Sequence, residues 1–86
     1  MKLDEHTLRL IAVGASITAN CQPCLQVNVQ HAVGCGVGAD EIAQAIEVGK
    51  RVRQGAASKM DAFAAGLDRQ EERATACSDQ VCGCGL

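Results

Sequence analysis

Over most of this chain apolar residues recur at three- and four-residue spacing, as the buried stripe of a helix requires. That pattern restricts the fold to packed helices separated by short breaks. The spacing predicts a first helix over about Leu3–Ala19, with Leu3, Leu10, Ile11 and Ile17 on one face and Thr7 and Gly14 filling the same stripe. Asp4 and Glu5 suit its first turn, where negative charge meets the positive end of the helix dipole. Gly14 lowers helix propensity by up to ~1 kcal/mol, a cost consistent with a close helix crossing or with simple tolerance.

Asn20 breaks the pattern and is a good N-cap, while Pro23 fits the first turn of a second helix from about Gln22 to Val33. Gly34-Cys35-Gly36 stops that helix. Asp40 then caps and Glu41 opens a third helix, whose stripe is Ile42, Ala45, Ile46 and Gly49. A fourth is expected from about Gly55 to Leu67 on Ala56, Met60, Phe63, Ala64 and Leu67, either running on from the third or meeting it at a bend near Gly55. The expected class is therefore all-α, of about four helices. Its domain spans 1–67, and a charged connector and cysteine-rich tail fill 68–86.

With 86 residues the chain supports one domain that buries only ~60% of its unfolded surface. Phe63 is its one aromatic residue, so small aliphatic contacts carry the core and self-association is expected. Scattered Lys and Arg, a net charge of −2 and the lack of an aromatic stacking platform argue against nucleic acid as a partner. No run approaches the ~18 apolar residues of a membrane span, and Asp4, Glu5, His6 and Arg9 interrupt any signal-like apolar core near the start. The expected location is cytoplasmic.

The six cysteines are unevenly spread: Cys21 and Cys24 form a Cys-x-x-Cys pair, Cys35 stands alone between glycines, and Cys77, Cys82 and Cys84 crowd the end. In a reducing compartment such a pattern points to redox or metal chemistry rather than structural staples. A thiol at a helix start has its thiolate stabilised by unpaired N–H groups and the dipole, and the second thiol can capture what the first forms. The pair therefore suits reversible disulfide chemistry. Half of a thiolate zinc site, or two inert residues, are the competing readings.

The order of these segments resembles the carboxymuconolactone decarboxylase superfamily, in particular its small AhpD-like, alkylhydroperoxidase branch. The resemblance rests on Asn20-Cys21-x-x-Cys24 opening the second helix, Gly38-Ala39-Asp40-Glu41-Ile42, Ala45-Ile46-Glu47-Val48-Gly49 and Gly55-Ala56-Ala57-Ser58-Lys59-Met60, and it spans about residues 3–67. It implies an all-helical protomer in trimers or hexamers, with the thiol pair near a protomer interface. It also implies that Cys24 attacks peroxide and Cys21 resolves the product, without a cofactor. An external protein or small-thiol donor would restore the dithiol. The branch's proton relay adds a His four residues after the second Cys and a Glu twelve before the first, and here those positions hold Asn28 and Arg9.

Asn28 can hydrogen-bond but cannot take a proton near neutral pH, and Arg9 can stabilise a thiolate but cannot act as a base. His31, the nearest histidine, lies about 10 Å along the helix axis from Cys24 and would act only through water or across an interface. His6 reads as a bland helix residue and Cys35 as a turn residue. The expected function is thus an AhpD-like thiol–disulfide oxidoreductase with weak peroxidase activity. The alternative is a thiolate metal-binding module in which Cys77, Cys82 and Cys84 join the pair. Those tail thiols could equally reduce the Cys21–Cys24 disulfide. Decarboxylation of a muconolactone-type acid finds no cluster of basic residues with a base to support it.

Overall fold

A computed structural model describes residues 2–71, with side chains through residue 68. Within it lie three helices, α1 (Glu5–Thr18), α2 (Gln22–Gly34) and α3 (Ala39–Glu71), and no strand occurs among the described residues. The all-α expectation holds. The tail thiols Cys77, Cys82 and Cys84 lie outside the described residues.

Of the two alternatives at Gly55, the third helix runs on into the fourth, and the two form one helix of 33 residues without a bend. A lone glycine costs a helix only ~1 kcal/mol, and no proline accompanies it. The flanking Arg53-Gln54 and Ala56-Ala57 are good helix formers that carry the hydrogen-bond ladder through. The described residues therefore hold three helices, the third covering the span of the expected third and fourth.

The helix ends obey local chemistry. Asp4 caps α1 by accepting from the Thr7 N–H at 2.8 Å, a bond that holds its carboxyl below the ordinary value. At the end of α2, Gly36 takes φ +82°, Gly36 N–H donates to Val33 O, and Val37 N–H donates to Ala32 O. This six-to-one closure stops the helix and turns Val37 into the core. Gly38, not Asp40, precedes the first residue of α3, and Glu41 Oε1 accepts from its N–H at 3.3 Å, half of a capping box. Glu41 Oε2 meets His6 Nε2 at 2.7 Å, which ties the first turns of α1 and α3 together.

The central element is α1, which packs antiparallel to α2 and parallel to α3, while α2 and α3 barely meet. Val13, Ala32, Val37 and Ile42 form the buried core, with Leu10, Leu25, Val29, Ala45 and Ile46 around it. Val13 is fully buried although it lies off the stripe read from the sequence, whereas Leu3 and Ile11 are half exposed. Contact with two helices widens the buried arc of α1 beyond a single stripe.

Gly14 and Gly49 make the α1–α3 contact close. A Cβ on Gly49 would stand 2.5 Å from Gly14 O and 2.9 Å from Ile17 Cβ. Thr18 Oγ1 spans the same crossing by donating to Gly14 O and Gly49 O. Gly49→Ala must push the helices apart and is predicted to destabilise by about 1–3 kcal/mol, as overpacking does. Gly55→Ala, with open space around it, should instead stabilise by up to ~1 kcal/mol. Denaturant unfolding of the two variants checks the contrast.

His6 first, and then the Gly38 N–H, hold the Glu41 carboxyl below its ordinary value of 4.5. A depressed carboxyl contributes stability above its unfolded pKa and loses it as pH falls through the folded one. The melting temperature should therefore drop on acidification below about pH 4.5, and Glu41→Gln should flatten that part of the profile.

Candidate functional site

The thiol pair sits where one helix stop becomes the next helix start. After α1, Asn20 adopts φ +56°, a left-handed conformation that Asn tolerates better than most residues. Its N–H donates to Ile17 O, and the next N–H, that of Cys21, donates to Ser16 O at 3.1 Å. The same Cys21 is the N-cap of α2, and its carbonyl accepts from Leu25 N–H. Cys21, rather than Asn20, therefore caps α2. Its backbone is fixed on both sides.

Pro23 occupies the first turn, where an N–H has no intrahelical partner, and brings Cys24 round to face Cys21. The two Cα atoms are 5.2 Å apart and the sulfurs are at disulfide distance. Cys24 is exposed and Cys21 partly covered. Neither a side-chain cap nor an acidic residue blocks the first turn of α2, so its positive end faces the sulfurs.

A cleft of about 170 Å³ opens beside Cys21, lined by Ser16, Ile17, Asn20, Gln22, Leu25 and Arg53. Arg53 reaches it from α3, its Nη1 donating to Asn20 Oδ1 at 3.0 Å and to Ile17 O at 3.4 Å. Those contacts cap the end of α1 and set a positive charge at the edge of the cleft. Sequence reasoning missed Arg53. The one available signal was its position a helical turn beyond Gly49, where a long side chain reaches past the crossing.

The other predicted residues divide between the middle of α2 and its C-terminal end. Asn28, half-buried, points at α1 and donates from Nδ2 to Ser16 Oγ at 2.8 Å, while the buried Ser16 hydroxyl donates to Ala12 O. The position corresponding to the relay's histidine thus faces α1, one residue row from the cleft. Arg9 lies at the far end: it pairs with Glu5 at 2.6 Å, its Nη1 stands 3.4 Å from His31 Nδ1, and the Cys35 sulfur beside it is the main influence raising its pKa. Arg9, His31 and the exposed, free Cys35 form a group of their own, apart from the thiol pair. His6 is engaged by Glu41.

Among the described residues no three His, Cys, Asp or Glu side chains converge as metal ligands, and no helix is long and apolar enough to cross a membrane. What the geometry offers is a constrained thiol pair, a positive helix end, a cation and a small cleft. No curated protein and no solved structure matches the chain. A sequence model of the carboxymuconolactone decarboxylase family matches residues 1–69, which contain every described element of the site. Four fifths of its length thus fall within that match, and the chain belongs to the carboxymuconolactone decarboxylase family.

Proposed function

We propose that this chain is a thiol–disulfide oxidoreductase of the AhpD-like type, with Cys24 as the attacking thiol, Cys21 as its partner and only weak hydroperoxide turnover. The observation that carries the reading is the Cys21–Cys24 pair at disulfide distance on the first turn of α2. Opening the disulfide yields thiolates that the helix end and Arg53 both favour. Cys24, the more exposed, then attacks a disulfide or peroxide sulfur or oxygen, and Cys21 displaces the product to close the pair again. A protein or small-thiol donor in a reducing cytoplasm returns the two electrons. No cofactor enters the cycle.

Slow peroxide chemistry follows from Asn28. Its amide is committed to Ser16 and has no lone pair basic enough to take the thiol proton. Asn28→His is predicted to raise hydroperoxide turnover about tenfold or more, since a positioned base contributes at least that much. Cys24→Ser should abolish both activities. Unchanged peroxide turnover in Asn28→His, or residual exchange in Cys24→Ser, would contradict these roles.

We also propose that the protomer works as a homo-oligomer, a trimer or hexamer. Supporting this, Ile11, Val48 and Val52 stand more than half exposed around an apolar α1–α3 groove of about 410 Å³, and Met60 and Phe63 are each 64% exposed farther along α3. That stripe runs on from the groove along a half of α3 that contacts nothing else among the described residues. A second copy presents the same apolar stripe and can cover it. Light scattering on the full chain should give a multiple of 8.9 kDa, which Val48→Asp and Phe63→Asp should each lower. A monomer at high micromolar concentration would overturn the proposal.

A further inference from the structure

We propose that Arg53 makes the cleft beside Cys21 selective for small electron-donor thiols that carry a carboxylate. The inference rests on the oxidoreductase reading above and names the substrate class of that site.

Among the seven residues lining the cleft, Arg53 alone is charged; Ser16, Asn20 and Gln22 are neutral and polar, and Ile17 and Leu25 are apolar. The acceptors that hold its Nη1, Asn20 Oδ1 and Ile17 O, are both neutral, so the guanidinium is fixed in place without its charge being cancelled. Glu47, about one and a half turns before it on α3, pairs with Arg51 at 3.6 Å, and no described carboxylate pairs with Arg53. A guanidinium has five N–H donors in a planar fork. With Nη1 occupied, Nη2 and Nε remain for a carboxylate, the acceptor whose two oxygens match that fork.

The size of the cleft sets the rest of the ligand. Its volume of about 170 Å³ equals the share of roughly five or six liquid waters, enough for a two- or three-carbon mercapto acid. Ile17 and Leu25 offer apolar surface to the methylene groups. The cleft borders Cys21 and not Cys24. A carboxylate held on Arg53 therefore leaves the ligand's sulfur beside Cys21.

The exchange balances as follows. The donor thiolate attacks Cys21 Sγ, the Cys21–Cys24 bond breaks, and Cys24 leaves as a thiolate that takes up a proton from solvent. A second donor thiolate attacks the donor sulfur of the mixed disulfide and releases Cys21. Two donor thiols are oxidised to one disulfide, and the protein disulfide is reduced to two thiols.

Reduction of the oxidised full chain by 3-mercaptopropionate, 2-mercaptoethanol and cysteamine, which are anionic, neutral and cationic, tests the inference. Rates are compared per thiolate after correction for thiol basicity. At low salt the anion should react about fivefold faster than the neutral thiol, the upper range for a partly exposed ion pair, and the cation more slowly than both. Added salt should shrink the preference. Arg53→Gln should remove it, and Arg53→Lys should retain part. Equal corrected rates in the wild type, or an undiminished preference in a folded Arg53→Gln, would overturn the inference. Should Arg53→Gln not fold, the wild-type charge and salt dependence decides. Failure of all three thiols to reduce the pair would instead refute the oxidoreductase reading itself.

Discussion

The left-handed turn at Asn20 is the constraint on which the site depends. It lets the Cys21 N–H close the end of α1 while the Cys21 carbonyl begins α2, so one residue belongs to two helix ends at once. A backbone fixed from both directions holds the two sulfurs at disulfide distance without a large core. Four buried apolar residues could not hold a loop of comparable length in place. The Asn20 side chain completes the arrangement by accepting from Arg53, linking the turn to α3.

The same economy explains the rest of the fold. A chain of small residues cannot fill wide gaps between helices, so α1 and α3 approach until Gly49, set against Gly14 and Ile17, leaves no room for a Cβ. That close contact delivers Arg53, one turn farther on, to the edge of the thiol cleft. Without a break at Gly55, α3 then continues past the end of α1 and presents Met60 and Phe63 to solvent. One chain therefore completes its own thiol cleft while leaving a long apolar stripe uncovered.

Much of this was legible in the sequence wherever a local rule decided it. The thiol pair at a helix start, Pro23 in the first turn, the glycine stop after α2 and the all-helical class all follow from contacts within a few residues. Cap positions were read one or two residues off, at Asn20 and Asp40, because several neighbouring residues are good caps and tertiary contacts choose among them. The bend at Gly55 was ambiguous because a lone glycine lowers helix propensity without forbidding a helix. Arg53 meeting Asn20, Asn28 meeting Ser16 and the burial of Val13 were not legible, since each depends on which helix faces pack and no local pattern records that. The relay positions were visible by spacing, yet their separation, Asn28 against Ser16 at the middle of α2 and Arg9 beside His31 in its last turn, required the fold.

On the proposed function, Cys21 and Cys24 interconvert between dithiol and disulfide as one unit. The most direct measurement is equilibration of the full chain across a series of glutathione redox buffers, followed by acid quench, alkylation and peptide mass spectrometry. The predicted result is a single two-electron transition in which both cysteines change together, with the dithiol fully recovered on the reducing side. Cysteines that stay alkylatable at every potential, or that gain glutathione separately without forming the intramolecular bond, would contradict it.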